Sequence, residues 1–193
     1  MKEVAPTDHP FHLVDNPTDE GYDEGMVRVY AADAVPGSKV FAFGWQDPIP
    51  WTNWTDDGSA YVEIHGGPAA TFDEAVSIPA GGHLEWTETW YPVAGLGGLR
   101  HANAAAALNL AVAGGQVHIA AAVTRPWTGQ AVLLLDGQEL WRQALDLAPG
   151  RPFRHSLAPG AGLPAQGTLL LRLADGSGQV TAEYALDLGR AGN

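Results

Sequence analysis

Residues 131–142 read Ala131-Val132-Leu133-Leu134-Leu135, then Asp136-Gly137, then Gln138-Glu139-Leu140-Trp141-Arg142. Asp-Gly tolerates the positive φ angles that a two-residue turn demands, so two apolar runs flanking it predict a β-hairpin. Outward from it the same pattern recurs. Residues 168–173 and 180–186 flank Asp175-Gly176-Ser177-Gly178, and residues 116–124 alternate between apolar and polar positions. Six or so strands in about 85 residues, separated by turn signals, predict a compact β-sandwich at the C-terminal end. Only residues 99–110, centred on Ala104-Ala105-Ala106-Ala107, read as helix, on alanine propensity, and they are expected to form a short connector.

N-terminal to this region, short β-branched and aromatic runs at 26–30, 39–43, 60–65 and 83–91 predict further strands. Pro36-Gly37 and Pro79-Ala80-Gly81-Gly82 supply turns between them. The expected fold class is therefore all-β. Charge divides the chain as well. Residues 1–98 hold sixteen acids against three Lys/Arg, whereas residues 99–193 hold six acids against seven arginines. Three glycines at 95, 97 and 98 mark the join, so the sequence suggests two modules, 1–98 and 99–193.

The 193 residues are 46% hydrophobic and 17% charged, a composition that buries a core and excludes wholesale disorder. Absence of cysteine excludes disulfides, thiolate nucleophiles and Cys-ligated metals. No run of about 18 apolar residues occurs, so no membrane-spanning helix is expected. Met1-Lys2-Glu3-Val4-Ala5-Pro6 lacks the apolar core of a signal peptide, which makes a cytoplasmic location the expectation. A net charge of -12 repels phosphate backbones, and nucleic acid is not an expected partner. Alanine, glycine and arginine usage suggests a GC-rich bacterial source.

The residues with chemical potential concentrate in the acidic module. In Tyr61-Val62-Glu63-Ile64-His65-Gly66-Gly67, alternation puts Tyr61, Glu63 and His65 on one strand face, at intervals of about 7 Å. A carboxylate and an imidazole side by side can share acid/base work, while Gly66-Gly67 would let a ligand approach. A solvent-facing polar strand is the plainer reading of the same spacing. Leu84, Trp86, Glu88 and Trp90 share another strand face, either as core or as a cleft walled by indoles. Trp45, Trp51 and Trp54 lie on a Pro-containing loop, where exposed aromatic groups commonly mark binding. Indole faces beside acids suit a pyranose, which offers an apolar C–H face and a rim of hydroxyls. The acidic run 15–25 concentrates oxygen ligands without EF-hand spacing, and no helical His pair suggests zinc, so neither metal nor cofactor is expected.

Gly25-Met26-Val27-Arg28-Val29, the run 36–45 from Pro36 to Trp45, Tyr61-Val62-Glu63-Ile64-His65-Gly66-Gly67, and Leu84-Glu85-Trp86-Thr87-Glu88-Thr89-Trp90-Tyr91 together resemble the C-terminal part of the galactose mutarotase-like superfamily. The likeness covers roughly residues 20–98, and more loosely the tail to about residue 188, and is closest to bacterial aldose 1-epimerase relatives of unassigned activity that often carry a smaller β domain afterwards. It implies a partial supersandwich of antiparallel sheets followed by a small β-sandwich, binding a sugar on a concave sheet face. By that resemblance Glu63 is the candidate base that takes the anomeric proton. The family's histidines come from earlier strands, so His65 is the substitute acid, with His9 and His12 as remoter options.

The expected function is aldose 1-epimerase-like interconversion of sugar anomers, with Glu63 and His65 catalytic and Trp45, Trp51, Trp54, Tyr61, Glu88 and Trp90 binding the substrate. Two alternatives stay open: a non-catalytic carbohydrate-binding module, or a structural domain whose aromatic loop forms a dimer interface. A partial sheet also leaves unpaired edges, which suggests a homodimer.

Overall fold

The computed structural model describes residues 11–15, 23–43, 55–57, 59, 61–159 and 162–189, and its regular structure is all strand, in antiparallel sheets. In chain order the strands are β1 (Phe11–Asp15), β2 (Glu24–Tyr30), β3 (Lys39–Phe43), β4 (Tyr61–His65), β5 (Glu88–Ala94), β6 (His101–Ala102) and β7 (Ala106–Ala113). There follow β8 (Gln116–Val123), β9 (Trp127–Leu135), β10 (Gln138–Leu147), β11 (Phe153–Leu157), β12 (Thr168–Asp175) and β13 (Val180–Asp187). They lie in two compact units, one over residues 30–88 and the other over Phe11–Val29 with Thr89–Asn193. The glycine join at 95–98 thus falls inside the second unit. Charge is a surface property and does not report which strands share a core.

In the second unit two sheets of order β10-β9-β12-β13 and β11-β8-β7-β6 pack face to face. Alternation fills the space between them. Leu108, Leu110, Val117 and Ile119 meet Leu133, Leu145, Leu169 and Leu171, each fully or almost fully buried. Each such side chain contributes about 1.5–3 kcal/mol by leaving water. Both hairpins expected from Asp136-Gly137 and from residues 175–178 form. Asp136 and Gly137 both have positive φ (49° and 83°), as a two-residue turn requires.

The expected helical connector at 99–110 is instead strand: β6 and β7 occupy it. The reason is tertiary. On its other face the β11-β8-β7-β6 sheet, through Ala102, Ala107 and Ala120, packs against Val27 and Val93 of the β1-β2-β5 sheet and against Leu96. A strand covered on both faces reads as a continuous apolar run, and alanine lets the layers approach; that gain outweighs a helix propensity of under about 1 kcal/mol per residue.

Polar side chains then tie the layers. Asn103 Nδ2 donates to the Thr181 carbonyl at 2.8 Å, and its Oδ1 accepts the Ala105 and Ala106 N–H groups at the start of β7. Register between β12 and β13 shifts at this point, and Thr181 falls opposite no residue of β12. Its Oγ1 accepts from Trp127 Nε1 at 2.9 Å, so the bulge aims both polar groups of Thr181 at neighbouring elements. The Tyr91 hydroxyl lies 2.9 Å from the Asn103 carbonyl and 3.1 Å from that of Ala106, donating to them from β5.

In the first unit β3 and β4 pair antiparallel, with Lys39 opposite His65 and Phe41 opposite Glu63. Gly37 donates its N–H to the Gly67 carbonyl at 3.1 Å, and a Cβ there would overlap the Ala69 carbonyl, so only glycine fits this approach. The strand expected over 83–91 begins only at Glu88; residues 83–87 have no ladder partner among the described residues. Alternation alone does not make a strand where no neighbour supplies hydrogen bonds.

Candidate functional site

Alternation along β3 and β4 puts Lys39 and Phe41 on the same sheet face as Glu63 and His65. A Glu63 carboxylate oxygen contacts His65 Nε2, as expected for residues two apart on one face. Both side chains keep about a third of their surface in water, Glu63 35% and His65 39%, so the pair is open to a ligand. The Phe41 ring stands edge-on to the imidazole at 5.4 Å between centroids.

Phe72, from the segment after β4, completes the cluster. Its ring lies 5.4 Å from Phe41 and 6.1 Å from His65, with Lys39 Nζ 4.9 Å from its centroid. Lys39 also donates to the Gly37 carbonyl at 3.2 Å, which draws the ammonium in toward the ring. Phe72 is nevertheless 66% exposed. The result is an apolar platform bordered by an acceptor, an imidazole and a cation within one strand pair. Such a surface can stack an apolar ring face and hydrogen-bond its rim.

The other sequence-predicted residues divide. Trp45, Trp51 and Trp54 lie outside the described residues, as does His9. Tyr61 is at the start of β4, opposite Phe43, with its side chain beyond what is described. Glu88 accepts a hydrogen bond from Trp86 Nε1 at 2.9 Å. Trp90, on β5 of the second unit, lies 5.4 Å from the guanidinium of Arg28, a fully buried side chain on β2. A charge with no water contact is costly, and the indole face lowers that cost. His12 is on β1, in register with Arg28.

No local sequence signal marks Lys39, Phe41 or Phe72 as site residues. The first two were accessible in principle, since pairing 39–43 with 61–65 aligns them with His65 and Glu63. Phe72 sits in an irregular segment, where no period predicts its position. A side chain at Gly67 would meet only open space, so no neighbouring protein group requires glycine there.

In the second unit His155 is stacked on Trp141 at 4.7 Å and 16°. Phe153 stacks on the same indole, at 6.1 Å and 20°, so β10 and β11 close one side of the sandwich with three rings. His118 Nδ1 is hydrogen-bonded with Ser156 Oγ at 2.8 Å. Asp23 accepts from the Gly97 N–H and from Arg154 at 2.8 Å, beside a cavity of about 10 Å³ lined by Val93 and Leu96. That volume holds one water and no sugar. Among the described residues no group of three or more His, Asp or Glu is placed to hold a metal ion.

Residues 101–184 match a family model described as "YphG-like protein, second domain". The matched stretch begins at β6 and ends within β13, and so takes in both faces of the sandwich core. No curated protein and no solved structure matches the chain.

Proposed function

We propose that the first unit binds a carbohydrate on the β3–β4 face, with Phe72 and Phe41 under the apolar face of a sugar ring. The carrying observation is the placement of Glu63 and His65 beside those two rings. Glu63 accepts from sugar hydroxyls, His65 and Lys39 supply donors, and no deep cleft is needed for an affinity in the millimolar to micromolar range. The resemblance to mutarotase-like proteins over residues 20–98 points to the same ligand class. Saturation-transfer NMR with glucose, galactose and a non-sugar polyol tests this reading. Transfer to the sugars only, reduced in Phe72→Ala by about tenfold in affinity, is the expected outcome. Equal transfer to the polyol, or no effect of Phe72→Ala, contradicts it.

The direct Glu63–His65 contact favours a second reading, in which the bound sugar changes anomer. Glu63 takes the proton of the anomeric hydroxyl while protonated His65 gives one to the ring oxygen, and the bond from the anomeric carbon to the ring oxygen breaks to leave the open-chain aldehyde. Reclosure on the other face of the carbonyl returns both protons and yields the other anomer. On reclosure His65 recovers its proton from the hydroxyl that re-forms the ring and Glu63 gives its proton to the carbonyl oxygen, so the pair ends the turnover as it began. NMR of freshly dissolved α-glucose or α-galactose reads the exchange directly. Acceleration that collapses in Glu63→Gln supports turnover; binding without acceleration leaves a carbohydrate-binding module.

A further inference from the structure

Residues 70–87 are exposed without interruption, and they include Val76 (49%), Ile78 (52%), Leu84 (41%) and Trp86 (37%). Within 71–87 the backbone hydrogen bond among the described residues is the Pro79–Gly82 turn, at 2.8 Å. The last five residues, 83–87, precede β5 in the chain, are irregular, and have no ladder partner among the described residues. Four large apolar side chains, on backbone with no ladder partner among the described residues, suit a segment that becomes extended by adding to another sheet's edge. Scattered single apolar residues are ordinary on a surface, but a run of them on unpaired backbone is not.

Charge selects the occupant. Asp73, Glu74, Glu85 and Glu88 lie along this segment, with no Lys or Arg between 70 and 88, and residues 30–88 as a whole hold nine acids against Lys39. A second copy of the chain would bring the same acids to the same edge, where like charges oppose pairing. A partner with Lys or Arg beside an open strand meets no such cost and associates faster. The geometry points to residues 83–87 as a docking strand that adds to the open sheet edge of a basic protein partner. Leu84 and Trp86 would fill two apolar recesses on one face, while Glu85 on the opposite face would meet cationic side chains. The main-chain hydrogen bonds give the pairing its direction, and Trp86 is the anchor.

A ten-residue peptide alternating Val and Lys serves as the probe, with a Val/Glu peptide as its counterpart, titrated against the full chain. The Val/Lys peptide is expected to bind, to protect the amides of 83–87 from hydrogen exchange, and to weaken by about tenfold between low and high salt as the charges are screened. Trp86→Ala is expected to weaken it by at least about tenfold. Thr87→Pro, which removes a ladder donor while keeping both anchors, is expected to abolish the protection. Equal binding of the Val/Glu peptide, protection confined to other residues, or an unchanged affinity in Thr87→Pro overturns the proposal. So does protection of 83–87 in the free protein together with a doubled mass in solution, since that outcome makes a second copy the occupant.

Discussion

Glu63 and His65 stand two residues apart on β4 with a carboxylate oxygen against Nε2, and the strand's alternation alone puts them on one face. The sheet brings Lys39 and Phe41 to the same face from β3, and Phe72 reaches it from the chain beyond. The chemistry of this surface therefore depends on two strands staying in register.

That dependence gives a first prediction. Gly37→Ala forces a Cβ into the Ala69 carbonyl, so the turn beside β3 must shift. Loss of sugar binding is expected with the sandwich core intact, because that core lies in the other unit. Saturation-transfer NMR together with hydrogen exchange of β9 and β12 checks both halves of the expectation. Retained binding would place the ligand elsewhere.

Glu63→Gln keeps the shape of the side chain and removes the base. Any acceleration of anomer exchange is expected to fall by roughly 10²-fold or more, while sugar affinity falls far less. Polarimetry at saturating sugar separates the two effects. An equal fall in both would assign Glu63 to binding alone.

Leu133→Ala tests the sandwich. Leu133 is fully buried at the centre of the two-sheet core, and its truncation is expected to cost about 2–5 kcal/mol. Urea denaturation monitored by Trp127 and Trp141 fluorescence reads the loss. A cost below about 1 kcal/mol would mean that the site collapses onto neighbouring side chains without leaving a cavity.

Tyr91 is expected to set the alkaline limit. Burial pushes its hydroxyl above the ordinary phenol value, because the charged phenolate is disfavoured away from water. A group whose folded pKa is raised contributes stability that is complete below its unfolded pKa, near about 10, and is lost as pH rises through the folded value. Thermal stability is therefore expected to decline above about pH 10. Tyr91→Phe is expected to flatten that decline and to cost about 1 kcal/mol at neutral pH through the lost bonds to Asn103 and Ala106. An identical alkaline profile in the variant would show that another group governs it.

The sandwich was legible in the sequence wherever a local signal decided structure. Asp136-Gly137 and the turn at 175–178 each fix a hairpin through a few residues, and both formed as read. The alanine run misled because its conformation is decided by what covers it: Ala107 and Ala120 lie under Val27 and Val93, from segments far away in the chain. The Glu63–His65 pairing was readable from the period of two. Phe72 was not, since nothing short of the folded unit brings an irregular segment against β3. The same limit applies to His155, which local sequence leaves on the surface and Trp141 draws into a stack.

Amide chemical shifts of the labelled full chain, followed while galactose and then glucose are added, test the carbohydrate assignment at residue level. The account predicts shifts gathered at Lys39, Phe41, Glu63, His65 and Phe72, saturating with sugar and absent with the polyol. Shifts confined to the β-sandwich, or none at these five positions while the β3–β4 pairing remains intact, would contradict it.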